Sequence, residues 1–219
     1  MDINLLTAAE TESLRSLILS SDNIILCCHR SPDGDALGSL LGMAEFLRQQ
    51  GKVPVAVVPD AYPDFLQWLP GTERIIRYDK HKSFVDGLLA SADLVFCLDF
   101  NTYSRTDDMA DTLAASPAKK VLVDHHLNPD IDTELCVSHP EACSTCELVF
   151  RLIWQLGSFD MMTRKCAVPL YCGMMTDTGG FTYNSTRPEI FFIISQLLTK
   201  GIDKDKSTAT FTTTTASGA

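Results

Sequence analysis

Aspartate and histidine recur at four separated places in this chain, in spacings that suit metal ions. The first is His29-Arg30-Ser31-Pro32-Asp33-Gly34-Asp35. The second is Asp99, directly after the apolar run Leu94-Val95-Phe96-Cys97-Leu98, and the third is Asp124-His125-His126, after Val121-Leu122-Val123. The fourth is Asp177, within Thr176-Asp177-Thr178-Gly179-Gly180. Hard divalent cations prefer carboxylate oxygen, and imidazole shifts the preference toward manganese and its neighbours. Two ions about 3.5–4 Å apart can share a bridging carboxylate and activate a water between them. Such a site needs several aspartates and at least one histidine from different loops, and His29, Asp33, Asp35, Asp99, His125 and Asp177 supply that set. Gly34 is expected to let the chain turn sharply, so that Asp33 and Asp35 face different ions. Taken singly, each piece has a plainer reading: a helix cap and surface turn at His29–Asp35, a strand-end cap at Asp99, a turn residue at Asp177. Their weight comes from being brought together.

The surrounding pattern predicts how that happens. Thr7 and Glu10 form a capping box for an opening helix to Ser20, with Leu14, Leu17 and Ile18 on one face. Asn23–Cys28 reads as a buried strand, and His29–Asp35 as the loop after it. Leu37, Leu40, Leu41, Ala44 and Leu47 then recur at helical spacing up to Gly51. Val53–Val58, Asp93–Leu98 and Lys120–Val123 read as further strands. Strand, loop, helix, strand is the order of a parallel sheet covered by helices. Ligands of such sheets bind in the crevice beyond the carboxyl ends of the strands, where three strands here deliver Asp and His. The second half reads as helical. Ser144-Thr145-Cys146-Glu147 is a capping box for one helix, Arg164–Met175 a second with Pro169 as an irregularity, and Pro188–Lys200 a third. The expected fold is therefore α/β, a parallel β-sheet flanked by helices and followed by a helical second half.

Composition narrows the function. The 219 residues are 45% hydrophobic and 21% charged, ordinary for globular material. The apolar runs are too short to span a bilayer, and the N-terminus lacks the pattern of a signal peptide, so a cytoplasmic protein with no membrane partner is expected. The formal net charge of -10 argues against gripping long duplex DNA through its phosphates, and bound cations would offset part of that charge. Of the 8 cysteines, Cys27, Cys28, Cys97, Cys166 and Cys172 sit in apolar segments as small buried hydrophobes. Cys143 and Cys146 form a lone CxxC, whereas a structural zinc usually takes four ligands. The helix start at Ser144 explains that segment without zinc.

His29–Ser39, the Asp99 strand end, Val123-Asp124-His125-His126 and Gly173–Phe181 resemble, in order and spacing, the four motifs of the DHH phosphoesterase family. The likeness covers about residues 5–205 and is nearest to the oligoribonuclease and 3′-phosphoadenosine 5′-phosphate phosphatase branch, which is manganese-dependent and trims very short RNAs to mononucleotides. The resemblance implies two divalent cations, Mn2+ ahead of Mg2+. One would be held by His29, Asp33 and Asp99, the other by Asp35, Asp99, His125 and Asp177, with Asp99 bridging. It further implies that His126 faces the substrate phosphate and that Asp124 orients the histidines from behind. Arg105, in the loop Asn101–Arg105, reads either as a phosphate clamp or as a solvated surface arginine. The implied partner is a short RNA or small nucleotide, with a homodimer left open.

Members of that branch carry a second, smaller domain with a glycine-rich, histidine-containing motif, and the only Gly-Gly here is Gly179-Gly180. Residues 1–206 are therefore expected to be the DHH domain, with the substrate domain absent and activity impaired. Residues 207–219 read as a Thr-rich tail that buries too little to fold alone. Two alternatives stand beside the nucleotide phosphoesterase: an inorganic pyrophosphatase built on the same motifs, and an inactive metal- or nucleotide-binding remnant.

Overall fold

The structure is a computed structural model that describes residues 2–203; the Thr-rich segment 207–219 lies outside them. Among the described residues six short runs form one sheet: β1 (Ile24–Cys27), β2 (Val55–Val58), β3 (Ile76–Arg77), β4 (Leu94–Leu98), β5 (Lys119–Asp124) and β6 (Leu135–Ser138). All pairings are parallel, in the order β3-β2-β1-β4-β5-β6. β1 and β4 are buried at every residue, as strands covered on both faces must be. Alternate side chains divide between two cores. Ile24, Leu26, Phe96, Leu98, Val121 and Val123 face one, and Ile25, Cys27, Val95, Cys97 and Leu122 the other. The first and larger core is closed by α1 (Ala8–Ser20), α2 (Gly34–Gln49), α5 (Thr145–Gln155), α6 (Arg164–Asp177) and α7 (Pro188–Leu198); the second by α3 (Tyr78–Ala90) and α4 (Ala110–Ala115). Among the described residues no helix is long and apolar enough to cross a membrane.

The α/β architecture matches the sequence reading, and the Thr7–Glu10 capping box of α1 is formed on both sides. Four elements went unread: β3, α3, α4 and β6. β3 has 2 residues, and α3 buries only Tyr78, Val85 and Leu89 and bends at His81, so neither writes a strong period. α6 runs unbroken through Pro169 to Asp177, which makes Asp177 the last residue of a helix rather than part of a turn. Gly34 also differs from expectation. It is the first residue of α2, and a Cβ there would collide with the side chain of Thr176 on α6. Close packing of two helices, not a sharp turn, requires glycine at that position.

The chain places β2 and β3 on one side of β1, and β4, β5 and β6 on the other. β1 and β4 thus flank the point where the order reverses. The crevice at their carboxyl ends is where the loops diverge and a ligand can enter.

Candidate metal centre

His29 leaves the end of β1 almost buried, and its Nδ1–H donates to the carbonyl of Arg30 at 2.7 Å. That fixes the tautomer and turns Nε2 inward, 3.4 Å from Asp99 Oδ2 and 3.9 Å from Asp33 Oδ1. Asp33 caps α2 as well, Oδ1 accepting the Asp35 and Ala36 N–H groups at 3.0 Å each. The cap and the ligand reading are thus both true of the same side chain.

Asp99 sits at the centre. Its φ of 64° lies in the left-handed region, a strained conformation for a non-glycine residue that is held here by its N–H bond to Val123 O at 3.0 Å. Its two oxygens face different groups: Oδ2 faces His29, while Oδ1 is 3.6 Å from His125 Nε2 and accepts from Thr145 Oγ1 at 2.9 Å. His125 donates Nδ1–H to Ala142 O at 3.3 Å, and its Nε2 lies 3.4 Å from Asp177 Oδ2 and 3.8 Å from Asp35 Oδ2. Donor atoms held about 2.1 Å from one ion are roughly 3–3.5 Å from each other, close to these separations. Among the described residues three groups could hold an ion with donor atoms within 4.8 Å of one another: His29, Asp33, Asp99; Asp35, His125, Asp177; and Asp99, His125, His126.

Asp35 is fully enclosed and lies under the N-terminus of α5. Thr145 N–H and Cys146 N–H donate to its two oxygens at 2.6 and 2.9 Å. A helix N-terminus is a natural seat for a carboxylate. The sequence reading missed this contact, although the Ser144 cap that starts the helix was visible. Gly173 is missing a side chain for the same reason, since a Cβ there would lie 2.8 Å from Asp35 Oδ1 and would strike Cys146 Sγ. The capping box at Ser144 is only half formed. Ser144 Oγ accepts the Glu147 N–H at 3.1 Å, but the Glu147 carboxylate turns to Cys143 N–H at 2.8 Å and to two arginines. The thiols of Cys143 and Cys146 address different partners, Ser144 Oγ and Asp35 O.

Electrostatics show a site short of positive charge. Burial, followed by the charges of Asp99 and Asp177, pushes the Asp35 carboxyl well above its ordinary range. Burial and Asp99 push Asp177 up to about 6. Burial acts on Asp99 in the same direction, but hydrogen bonding to His29 and the histidine charges bring it below the ordinary value. Burial lowers His29, but the hydrogen bond and charge of Asp99, with the Arg30 carbonyl and the charge of Asp33, together raise it above the ordinary value. Several carboxylates in one buried site cannot all ionise without cations. The donor set, its spacing and this deficit all fit divalent metal.

Asp124 is completely buried and accepts from His126 Nδ1–H at 2.7 Å. That bond, against burial and the nearby charge of Arg105, raises His126. Arg105 lines a cavity of about 590 Å³ together with His29, Arg30, Ser31 and Ser104. The loops that build it are tied together, Arg30 N–H donating to Arg105 O and Asp130 N–H to Asn101 O, both at 2.7 Å. Every residue singled out from the sequence thus lies at this one edge of the sheet; Arg30, Thr145, Ala142 and the α5 N-terminus were not foreseen.

The chain is 33% identical over 182 residues to the bifunctional oligoribonuclease and PAP phosphatase NrnA of Thermus thermophilus, a match covering 82% of this chain and 50% of that protein. It thus spans about half the length of the curated relatives it matches. An exopolyphosphatase-related protein from Bacteroides fragilis superposes with a TM-score of 0.91 at 48% identity, over 94% of this chain and 62% of that one. A Methanococcus jannaschii protein described as a putative family II inorganic pyrophosphatase shares the fold, with a TM-score of 0.59 at 17% identity over 85% of this chain and 59% of its own. The model of the DHH family, N-terminal domain, matches residues 23–174, and the chain belongs to that family.

Proposed function

We propose that this protein is a divalent-cation-dependent phosphoesterase that hydrolyses short oligoribonucleotides or 3′-phosphoadenosine 5′-phosphate. The observation that carries the reading is the division of Asp99, one oxygen toward His29 and the other toward His125, which is the arrangement a bridging carboxylate needs. His29, Asp33 and Asp99 would hold one cation, and Asp35, Asp99, His125 and Asp177 the other. The mixed imidazole and carboxylate donors suit manganese, with magnesium the alternative. When bound, such ions lower the pKa of water and neutralise phosphate oxygens.

The protein's own groups do the rest. Asp124 holds His126 in the Nδ1–H tautomer and favours its charged form, leaving Nε2 to donate toward a phosphate oxygen as negative charge builds there. Arg105 and Arg30 line the cavity next to His29 together with Ser31 and Ser104, where their guanidinium groups would grip a phosphate by charge-assisted bonds. The fixed ring of His29 and the buried seat of Asp35 keep the donor atoms from moving as substrate enters. The choice of a nucleotide follows the oligoribonuclease and PAP phosphatase relative.

The test is a release assay with Mn2+ on a diribonucleotide, 3′-phosphoadenosine 5′-phosphate and pyrophosphate, with Asp99→Ala as control. Turnover of either nucleotide, abolished by chelator and by the substitution, supports the proposal. Release from pyrophosphate alone, or from none of the three, overturns it.

A further inference from the structure

Glu147 is a fully buried carboxylate whose hydrogen-bond partners are a backbone N–H and two arginines, none of them a proposed ligand. A buried charge is costly, and an apolar residue of similar size often serves stability as well or better, so its presence calls for another reason. Its Oε2 accepts Cys143 N–H at 2.8 Å and Arg187 Nη2 at 2.6 Å; its Oε1 accepts Arg187 Nη2 at 2.8 Å and Arg151 Nη1 at 3.1 Å. Cys143 N–H belongs to the same planar peptide as Ala142 C=O, and in a trans peptide the two point in opposite directions. Pulling the N–H toward Glu147 therefore aims the carbonyl at His125, whose Nδ1–H it accepts at 3.3 Å. The same residue lies in the first turn of α5, where Thr145 and Cys146 hold Asp35 and Thr145 Oγ1 holds Asp99.

We propose that Glu147 and Arg187 are positioning residues of the metal centre: their ion pair orients the Ala142–Cys143 peptide and so selects the His125 tautomer that offers Nε2 inward. The proposal rests on reading His125 as a metal ligand. Outer partners of ligating histidines fix ring orientation and basicity, and their loss typically costs 10–100-fold in metal affinity. Here the carboxylate reaches the ring through one peptide unit instead of directly. Arg187, the residue before α7, is 31% exposed. Arg151 has a different task, since it also binds Ile3 O at 2.8 Å and anchors the N-terminal segment.

Glu147 is buried deeply enough that its replacement risks the fold, so the test acts on Arg187. Arg187→Met should lower Mn2+ affinity tenfold or more by calorimetry, and Arg187→Lys should restore part of it. In the metal-free protein, ¹⁵N–¹H correlation of the histidine rings should show the His125 Nδ1 proton in the wild type and a mixture of tautomers in Arg187→Met. Gln155→Ala is the control for instability: it lies on the same helix and its side chain binds Leu5 N–H and Leu6 N–H at 2.9 and 3.0 Å, so it should lower the melting temperature without changing Mn2+ affinity. Wild-type affinity together with an unchanged His125 tautomer in Arg187→Met would overturn the proposal. A tautomer shift in a protein that binds no Mn2+ would leave the clamp standing and remove the metal reading.

Discussion

Replacing Asp177 with asparagine should make the metal-free protein more stable at neutral pH and the metal-loaded protein less so. Burial and the charge of Asp99 hold the Asp177 carboxyl at about 6, roughly 2 units above an ordinary aspartate, which corresponds to about 3 kcal/mol. The side chain is 27% exposed, so about 1–3 kcal/mol is the working range. A raised carboxyl pKa means that the neutral form is the one the fold favours. Its contribution is full below the unfolded value near 4 and is lost as pH rises through about 6. Asparagine never ionises and keeps the neutral form throughout. In urea denaturation with chelator present, the stability of Asp177→Asn minus that of wild type should therefore grow by about 1–3 kcal/mol between pH 4 and pH 7, then level off. His29 and His126, both raised, also lose their contributions as pH rises in both proteins, and His126 differs between them only through its charge interaction with Asp177. With Mn2+ at about 1,000 times its Kd the wild type gains about 4.1 kcal/mol, more than the advantage of the variant, and a variant left without the ion at that concentration should become the less stable of the two. A difference that does not change with pH, or a wild type that is the more stable at pH 7 without metal, would show that the fold does not favour the neutral form of Asp177.

Asp99→Ala removes an oxygen from both ligand groups and should lower phosphoester turnover about a thousandfold, with Mn2+ stoichiometry in calorimetry falling below two. Gly173→Ala forces a methyl against Asp35 and Cys146; overpacking there should cost about 1–3 kcal/mol in urea denaturation and weaken Mn2+ binding as Asp35 shifts. Arg105→Met should raise KM for a nucleotide about tenfold or more, the loss expected for one charge-assisted hydrogen bond, with melting temperature nearly unchanged.

Much of this centre was legible because the strands that carry it are strongly apolar and end abruptly in polar residues. Leu94–Leu98 followed by Asp99, and Val121–Val123 followed by Asp124, can hardly be anything but buried strands with their ends at one edge. The parallel order then places the four motifs together. What could not be read depends on contacts between distant segments. The α5 N-terminus binds Asp35 across 110 residues, and Glu147 finds Arg187 40 residues away; no local period records either. Gly34 shows the same limit in miniature. Its presence was visible, but the reason, the Thr176 side chain against it, belongs to the packing of α2 on α6. α3 was missed because its first turns, Asp79-Lys80-His81-Lys82, present almost no buried face.

Whether the cluster holds two ions can be seen by anomalous diffraction at the manganese edge from crystals of the protein grown with Mn2+. Two peaks are expected about 3.5–4 Å apart, with Asp99 between them, His29 and Asp33 beside one, and Asp35, His125 and Asp177 beside the other. A single peak with Asp99 bound through one oxygen, or manganese bound elsewhere with this cluster left unliganded, would contradict the two-ion reading.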